Sequence, residues 1–263
     1  MLNILRARLH QGHRTLRFPE EEPRLPPRFR GRPRLDPARC PDGCRACVDA
    51  CPTHAITAAD GLALDMGRCL FCADCVDACP EGAIGFSPEF RLAERARARL
   101  VVRSSGEPPG ARSLVLGDQL RRLFGRSLKL RVVSAGGCNG CESDVNVLGT
   151  IVFDLGRFGI QFVASPRHAD GLLITGPVTR NMREALRKTY EAVPEPRLVI
   201  AVGACAISGG PYLGHDEVHD GAESTVPVDL YIPGCPPHPL TILEGLIGLV
   251  GRAGPRPEGP REP

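Results

Sequence analysis

Short apolar runs alternate with helical patterns in the second half of the chain, from residue 127 onwards. Strand-like runs are found at 128–133, 160–164, 171–175, 198–202 and 229–232. Helical patterns are found at 142–158, 179–191 and 239–250. Because strands that alternate with helices form parallel sheets, this half is predicted to be an α/β domain with a flavodoxin-like parallel sheet.

The first half has a different pattern and is richer in Pro and Arg. Residues 1–18 predict a short helix with Leu2, Leu5 and Leu9 on one side and arginines around the rest. This helix is either a solvated arm or an amphipathic foot on a membrane or partner surface. Residues 19–37 predict an extended, docked segment. Further predicted elements are short β segments at 55–57 and 83–86 and basic helices at 89–103 and 113–125.

These patterns divide the chain into five parts. They are a basic Pro/Arg-rich arm (1–39), a small α+β domain (40–87), a basic linker (88–127), the α/β domain (128–251) and a disordered tail (252–263). Charge is segregated too: the arm holds ten Arg against four acids, and the next part holds two Arg against seven acids. Arg-rich arms can bind nucleic acid. With three Tyr, nine Phe and no Trp the chain lacks a stacking platform, so no nucleic-acid partner is expected.

Twelve cysteines in 263 residues indicate metal chemistry. Four arginines interrupt the apolar pattern of the first 18 residues, so no signal peptide is expected. No apolar run is long enough to cross a bilayer. Clustered C-x2-C spacing without an export signal predicts reduced thiolates that hold metal in the cytoplasm.

Eight of the cysteines fall in two similar runs between Arg39 and Pro80. The second run, Cys69-x2-Cys72-x2-Cys75-x3-Cys79-Pro80, has the bacterial ferredoxin spacing for a 4Fe–4S cluster. The first run repeats this spacing with one extra residue in its opening gap, which the turn-forming residues 41–43 can loop out. Its cysteines are Cys40, Cys44, Cys47 and Cys51.

Crossed ligation is expected, because the fourth cysteine of each such run ligates the other cluster. One set is Cys40, Cys44, Cys47 and Cys79, and the other is Cys69, Cys72, Cys75 and Cys51. A pair of four-cysteine zinc sites is the alternative, since these also use C-x2-C pairs. The doubled run with Pro after each last cysteine favours the clusters. A surface or packing role suits His54 better than a ligand role, because four thiols are already available for each cluster.

The other four cysteines follow predicted strands of the α/β domain, at the edge where parallel sheets collect their ligands. They are Cys138, Cys141, Cys205 and Cys235. Glycines near them would let the backbone approach a cluster and donate N–H groups to its sulfurs. A third 4Fe–4S cluster is therefore expected. The alternative, four buried structural thiols, leaves the C-x2-C pair and the flanking glycines unexplained.

Several stretches resemble known redox subunits. The second half contains GGCNGCE, ITGPVTRNMREALRKTY, PEPRLVIAVGACA and YIPGCPPHP. It resembles the small cluster-bearing subunit shared by energy-converting nickel–iron hydrogenases and respiratory complex I. The first half, with PPRFRG and RCLFCADC, is similar to the two-cluster ferredoxin subunit of the same complexes. The likeness covers nearly all of residues 19–251, so the chain resembles a fusion of two neighbouring subunits, although the basic linker resembles neither.

One local difference favours the group 4 membrane-bound hydrogenases, the formate hydrogenlyase type. The complex I subunit carries two adjacent cysteines at the first ligand position, whereas this chain has Cys138-Asn139-Gly140-Cys141 followed by Glu142. The resemblance implies that the third cluster is the proximal one, next to a catalytic large subunit. It implies no complete catalytic site on this chain, because all twelve cysteines are already assigned. Glu142 is a candidate proton relay, or a plain acid in the first turn of a helix.

The implied function is electron transfer through three 4Fe–4S clusters, to or from a hydrogenase large subunit with a nickel–iron centre. Further implied partners are membrane-arm subunits and an electron-donor or acceptor protein, with the chain peripheral on the cytoplasmic side of the membrane. One alternative is the equivalent subunit of a complex I-like quinone oxidoreductase or a nickel-free relative. Another is a free-standing electron carrier or cluster scaffold.

Overall fold

A computed structural model describes residues 2–59, 61–104, 116, 122–124 and 127–251. The predicted disordered tail (252–263) and most of the predicted helix at 113–125 lie outside the described residues. Within those ranges, no helix is long and apolar enough to cross a membrane.

The N-terminal half consists of short elements arranged in two small sheets. Its helices are α1 (Leu2–Gln11), α2 (Ala46–Asp49) and α3 (Asp74–Asp77). Its strands are β1 (Pro33–Leu35), β2 (Ile56–Thr57), β3 (Ala63–Asp65), β4 (Ile84–Phe86) and β5 (Val101–Arg103). Strand β1 pairs antiparallel with β4, and β2, β3 and β5 form an antiparallel sheet in that order. The α+β unit that contains the two cysteine runs therefore also uses a strand from the arm and a strand from the linker.

The basic helix predicted at 89–103 is wrong. A 3₁₀ turn spans Arg97–Leu100, and β5 follows it directly. Long-range pairing decides this conformation: β5 pairs with β3, and Glu94 pairs with Tyr231 at the edge of the larger sheet. The pairing and the complete burial of Phe90 and Leu100 override the local helix propensity of an Arg- and Ala-rich stretch.

Five strands form the larger sheet in the C-terminal half. They are β6 (Leu128–Ser134), β7 (Ile160–Phe162), β8 (Gly171–Thr175), β9 (Leu198–Val202) and β10 (Leu230–Ile232). Their order across the sheet is β10-β9-β8-β6-β7, and every neighbouring pair is parallel. Counted from β6, this is the 2-1-3-4-5 order of flavodoxin-like sheets. The predicted fold class is confirmed.

Four helices accompany this sheet: α4 (Gly140–Val147), α5 (Arg180–Glu191), α6 (Ala204–Ser208) and α7 (Pro239–Leu249). The helix predicted at 142–158 is too long, because α4 ends at Val147 and a 3₁₀ turn at Leu155–Phe158 follows. Asp154, with a φ of 48°, interrupts the helical path between the two. Left-handed residues cannot continue a right-handed helix.

Side chains on the two faces of the large sheet enter two hydrophobic cores. On one face, Leu173 and Ile200 pack in the core that includes most of α7. On the other face, Leu172 belongs to the same core as Leu64 and Met66 of the N-terminal half. Each fully buried aliphatic side chain contributes about 1.5–3 kcal/mol. The first core also includes Phe18 and Phe90, so both cores contain residues from the two halves of the chain and hold them together.

Candidate metal centres

All twelve cysteines are free thiols. A first group combines Cys40, Cys44 and Cys47 of the first run with Cys79 of the second run. Burial raises the pKa of the Cys47 thiol, and Cys79, Cys40 and Cys44 raise it further. The pKa of Cys40 is raised by burial and then by Cys44 and Cys79. Such mutual effects operate between neighbouring groups, so the structure brings these four thiols together.

A second group combines Cys69, Cys72 and Cys75 of the second run with Cys51 of the first run. Burial raises the pKa of the Cys69 thiol to about 12, and Cys75, Cys51 and Cys72 contribute in the same direction. Burial likewise raises the pKa of Cys75 to about 12, followed by Cys51 and Cys72. All four residues line one cavity, whose remaining wall is largely apolar.

The two runs hold their last cysteines in the same local structure. Cys51 and Cys79 each follow a four-residue helix, α2 and α3. Each Sγ accepts a hydrogen bond from the backbone N–H four residues later, that of Ala55 or Ala83, and both bonds are 3.2 Å long. The extra residue of the first run lies in the turn of residues 41–43, which the backbone N–H of Cys44 closes by donating to the carbonyl of residue 41 (3.2 Å).

A third group lies at the carboxyl ends of the parallel strands. Cys138 and Cys141 follow β6, Cys205 lies in α6 after β9, and Cys235 follows β10. Burial raises the pKa of the Cys141 thiol, and Cys205, Cys235, Glu142 and Cys138 raise it further. Burial also raises the pKa of Cys205 to about 11, followed by Cys235 and Cys138. These thiols converge at the edge where parallel sheets bind their ligands.

Two glycines keep space open around the third group. Gly203 has a φ of +90°, and a Cβ added there would lie 2.5 Å from Sγ of Cys141. Gly210 has a φ of +57°, and its Cβ would lie 2.9 Å from Sγ of Cys205. Both positions need glycine for the backbone conformation as well as for the space. Four thiols at one edge of the sheet, with glycines where a Cβ would collide with two of their sulfurs, fit a 4Fe–4S cluster, whose usual ligands are cysteine thiolates.

Glu142 lies beside the third group at the start of α4. It is only 8% exposed, and its Oε1 accepts hydrogen bonds from the hydroxyls of Ser134 (2.5 Å) and Thr175 (2.7 Å). Its charge helps to raise the pKa values of Cys141 and Cys205. Ser134 and Thr175 are the last residues of β6 and β8, and neither was expected from the sequence. The sequence does contain one indication of them, because each is a polar residue at the carboxyl end of a predicted strand, where parallel sheets bind their ligands.

The second group lies between the first and the third. Cys75 of the second group has its pKa raised mainly by burial, with a contribution from Cys47 of the first group. Burial also raises the pKa of Cys235 in the third group, followed by its neighbour Cys138 and then by Cys72 of the second group. The packing agrees with this order, because Leu70 and Phe71, which lie between Cys69 and Cys72 of the second group, line one cavity with Cys235 of the third group.

The other candidate ligand, His54, lies three residues after Cys51, is exposed and has a φ of 50°. It is not among the residues that line the cavity of the second group. In the described ranges, no three His, Cys, Asp or Glu side chains lie close enough together to share a single metal ion, and this includes the thiols within each of the three groups.

Two protein families match separate parts of the chain. Residues 39–83 match the 4Fe–4S dicluster domain. Residues 138–249 match the family described as NADH ubiquinone oxidoreductase, 20 Kd subunit. The first match covers both cysteine runs of the N-terminal half, and the second covers the third group of thiols.

Individual relatives each match a little under half of the chain. A probable membrane-bound hydrogenase subunit of Pyrococcus furiosus is 42% identical over 49% of this chain and 77% of its own length. Formate hydrogenlyase subunit 7 of Escherichia coli is 46% identical over 48% of this chain and 49% of its own length. An NADH-quinone oxidoreductase subunit of Clostridium beijerinckii is 44% identical over 41% of this chain and 65% of its own length. The chain therefore belongs to the NADH ubiquinone oxidoreductase 20 Kd subunit family, as an iron–sulfur oxidoreductase subunit in which a 4Fe–4S dicluster domain precedes the family domain.

Proposed function

We propose that this chain is the electron-transfer subunit of a membrane-associated nickel–iron hydrogenase. It would conduct electrons between a donor or acceptor protein and a catalytic large subunit that reduces protons or oxidises hydrogen. The observation that carries the proposal is the grouping of the thiols in space: four line one cavity in the N-terminal half, and the loop between Cys69 and Cys72 lines a second cavity with Cys235 of the third group. Likeness to a probable membrane-bound hydrogenase subunit and to a formate hydrogenlyase subunit supports the class of complex.

Each group of four thiols would hold one 4Fe–4S cluster, with the fourth cysteine of each N-terminal run serving the other run's cluster. Bound 4Fe–4S clusters accept and release single electrons at potentials set by net charge, hydrogen bonds to the sulfurs and solvent exposure. The chain's own residues control two of these properties. The N–H groups of Ala55 and Ala83 donate to the Sγ atoms of Cys51 and Cys79. Cys69 and Cys75 are buried, which limits solvent access to the second group.

The large subunit would cover the face around the third group. Cys138 and Cys235 are exposed there, whereas Cys141 and Cys205 are half-buried. A partner on this face would remove the exposed thiols from water, and the polarity around a cluster is one of the properties that tune its potential. In this arrangement the first group faces the donor or acceptor protein. Membrane-arm subunits would hold the complex at the cytoplasmic face of the membrane.

The equivalent subunit of a complex I-like quinone oxidoreductase, or of a nickel-free relative, is the second candidate. The description of the matching family and the likeness to the NADH-quinone oxidoreductase subunit of Clostridium beijerinckii favour it. The separated pair Cys138 and Cys141 favours the hydrogenase branch, which it resembles. Asn139, with a φ of 69°, and Gly140 lie between the two thiols and begin α4.

Affinity purification of the tagged chain from its native host tests the proposal. A co-purifying large subunit that contains nickel and evolves hydrogen with a reduced donor is the expected result. A partner without nickel that reduces quinone would replace the first proposal with the second. A chain that is stable and fully loaded with clusters in the absence of any partner would indicate a free-standing carrier.

Iron analysis gives a separate prediction. Three cubes of four irons should bring about twelve iron and about twelve acid-labile sulfide per purified chain. About eight of each would mean that the C-terminal cluster is absent. Zinc in place of iron would contradict the cluster assignment altogether.

Glu142 is proposed as a proton-holding group beside the third cluster. Its burial and its two hydroxyl donors distinguish it from a solvated acid at a helix start. In Glu142→Gln, hydrogen-linked turnover should fall on the order of 10²-fold, the lower range for a lost proton-transfer group, while the iron content stays unchanged. Glu184→Gln, on the exposed face of α5, is the control and should leave turnover unchanged. Equal turnover in both variants would contradict a proton role.

A further inference from the structure

A buried hydrogen bond joins the loop that presents Cys69 to the helix that presents Cys205. Ser208, the last residue of α6, donates its hydroxyl to the backbone carbonyl of Gly67 at 2.8 Å, with the carbonyl of Ala204 as a more distant second acceptor at 3.1 Å. Ser208 is only 7% exposed. Gly67 lies two residues before Cys69, and Ser208 lies three residues after Cys205. The bond therefore connects a ligand loop of the second group to the ligand helix of the third.

Asp65 holds the same loop from the other side. Its Oδ1 accepts a hydrogen bond from the N–H of Gly67 (2.8 Å), and its backbone carbonyl accepts from the N–H of Cys69 (3.0 Å). Arg97 donates to both carboxylate oxygens of Asp65, at 2.8 and 2.6 Å. Two-pronged pairs of this kind fix the relative orientation of their partners as well as their distance. Arg97 comes from the segment that links the two halves of the chain.

Gly67 is the residue where these contacts meet. A Cβ added to it would lie 2.7 Å from Cζ of Arg97. An added Cβ would displace the guanidinium from its place over the loop, where the carbonyl of the same residue accepts from Ser208. The N–H and the carbonyl of Gly67 are both bonded, to Asp65 and Ser208 respectively, so the loop is held on both of its sides.

We propose that Arg97, Asp65, Gly67 and Ser208 are positioning residues that set the separation and orientation of the second and third cluster sites. This inference rests on the proposed function, because it assumes that both sites hold 4Fe–4S clusters. Neither ligand-bearing element can shift relative to the other without stretching the bonds at Gly67. Electron transfer between two centres falls steeply as they move apart, so these four residues control the step between the N-terminal and C-terminal halves.

Ser208→Ala tests the inference, because it removes the bond between Gly67 and α6 and leaves every thiol in place. In the reduced full chain, electron paramagnetic resonance should show a weakened magnetic interaction between the second and third clusters. Electrons that enter at the N-terminal clusters should reach the third cluster more slowly after rapid mixing with a reductant. Iron content should equal that of the unchanged chain. The matched control is Ser224→Ala, whose hydroxyl donates to the carbonyl of Gly221 (2.9 Å) within the C-terminal half.

A second variant, Arg97→Lys, keeps the charge but cannot donate to both oxygens with one planar group. It should weaken the magnetic interaction in the same direction as Ser208→Ala. An unchanged interaction and an unchanged transfer rate in Ser208→Ala, with full iron content, would overturn the inference alone. If the chain without any substitution lacks the third cluster, both the proposed function and this inference are overturned. An equal effect in Ser224→Ala would also overturn the inference, because it would show that any lost serine hydroxyl disturbs the sites.

Discussion

Cys205→Ala is expected to abolish hydrogen-linked activity and to remove the third cluster, while both clusters of the N-terminal half remain. Cys205 is one of four thiols that lie at the carboxyl ends of the large sheet, and 4Fe–4S clusters are held by four cysteine thiolates. Cys205 is half-buried and is not one of the residues that form the two hydrophobic cores. The fold should therefore survive the loss of this thiol. Iron should fall from about twelve to about eight per chain.

The mirror-image control is Cys40→Ala, which removes a thiol of the first group at the other end of the series. It should remove the outermost cluster and leave the paramagnetic signal of the third cluster intact. Hydrogen-linked activity with the natural donor should fall in both variants, because the series is interrupted at either end. Loss of all three signals in Cys205→Ala would contradict the assignment of separate ligand sets to the two halves.

The two halves are separate in their ligands but not in their packing. Leu64 and Met66 of the N-terminal half share a core with Leu172 of β8. Burial against the sheet supplies apolar area that so small a cysteine-rich unit lacks by itself. For this reason we expect the two halves of the purified chain to unfold together in one transition. Until then, the cluster sites of the two halves should keep a fixed position relative to each other.

Local patterns were sufficient to predict the sheet. The runs at 171–175 and 198–202 coincide with β8 and β9, because fully buried central strands are continuous apolar segments bounded by turns. Strand and helix alternation then fixes the parallel order, which positions the C-terminal cysteines at one edge. For the N-terminal half, the prediction rests on the spacing of the cysteines, because 4Fe–4S clusters are bound by cysteine runs of characteristic spacing.

Contacts between distant parts of the chain could not be predicted in this way. Strand β5 forms because Val102 pairs with Leu64, and its own sequence favours a helix. Ser208 and Gly67 are 141 positions apart, so nothing near either residue indicates the other. Ser134 and Thr175, whose hydroxyls donate to Glu142, lie on two strands that are neighbours only in the folded sheet. Such contacts depend on tertiary packing, which overrides or supplements local preference.

Gly203→Ala should lose the third cluster almost as completely as Cys205→Ala, although it removes no ligand. The added Cβ would lie 2.5 Å from Sγ of Cys141, in the space that the cluster and its ligands require. The backbone cannot move aside easily, because the N–H of Gly203 donates to Ile232 (2.8 Å) and its carbonyl accepts from Ile207 (3.1 Å). The conformation itself, with φ 90° and ψ 157°, is nearly exclusive to glycine and adds on the order of 1–3 kcal/mol of strain.

Gly214→Ala is the control that has backbone strain without a steric collision. Gly214 also has a positive φ, +76°, but a Cβ there would meet no atom within 4 Å. This variant should lose about 1–2 kcal/mol of stability from the left-handed backbone and should keep about twelve iron per chain. Iron and sulfide content, the paramagnetic signals and the thermal unfolding midpoint measure both variants side by side. Both variants have a positive-φ penalty, so a third cluster retained in Gly203→Ala would contradict the expected collision of the added Cβ with Sγ of Cys141.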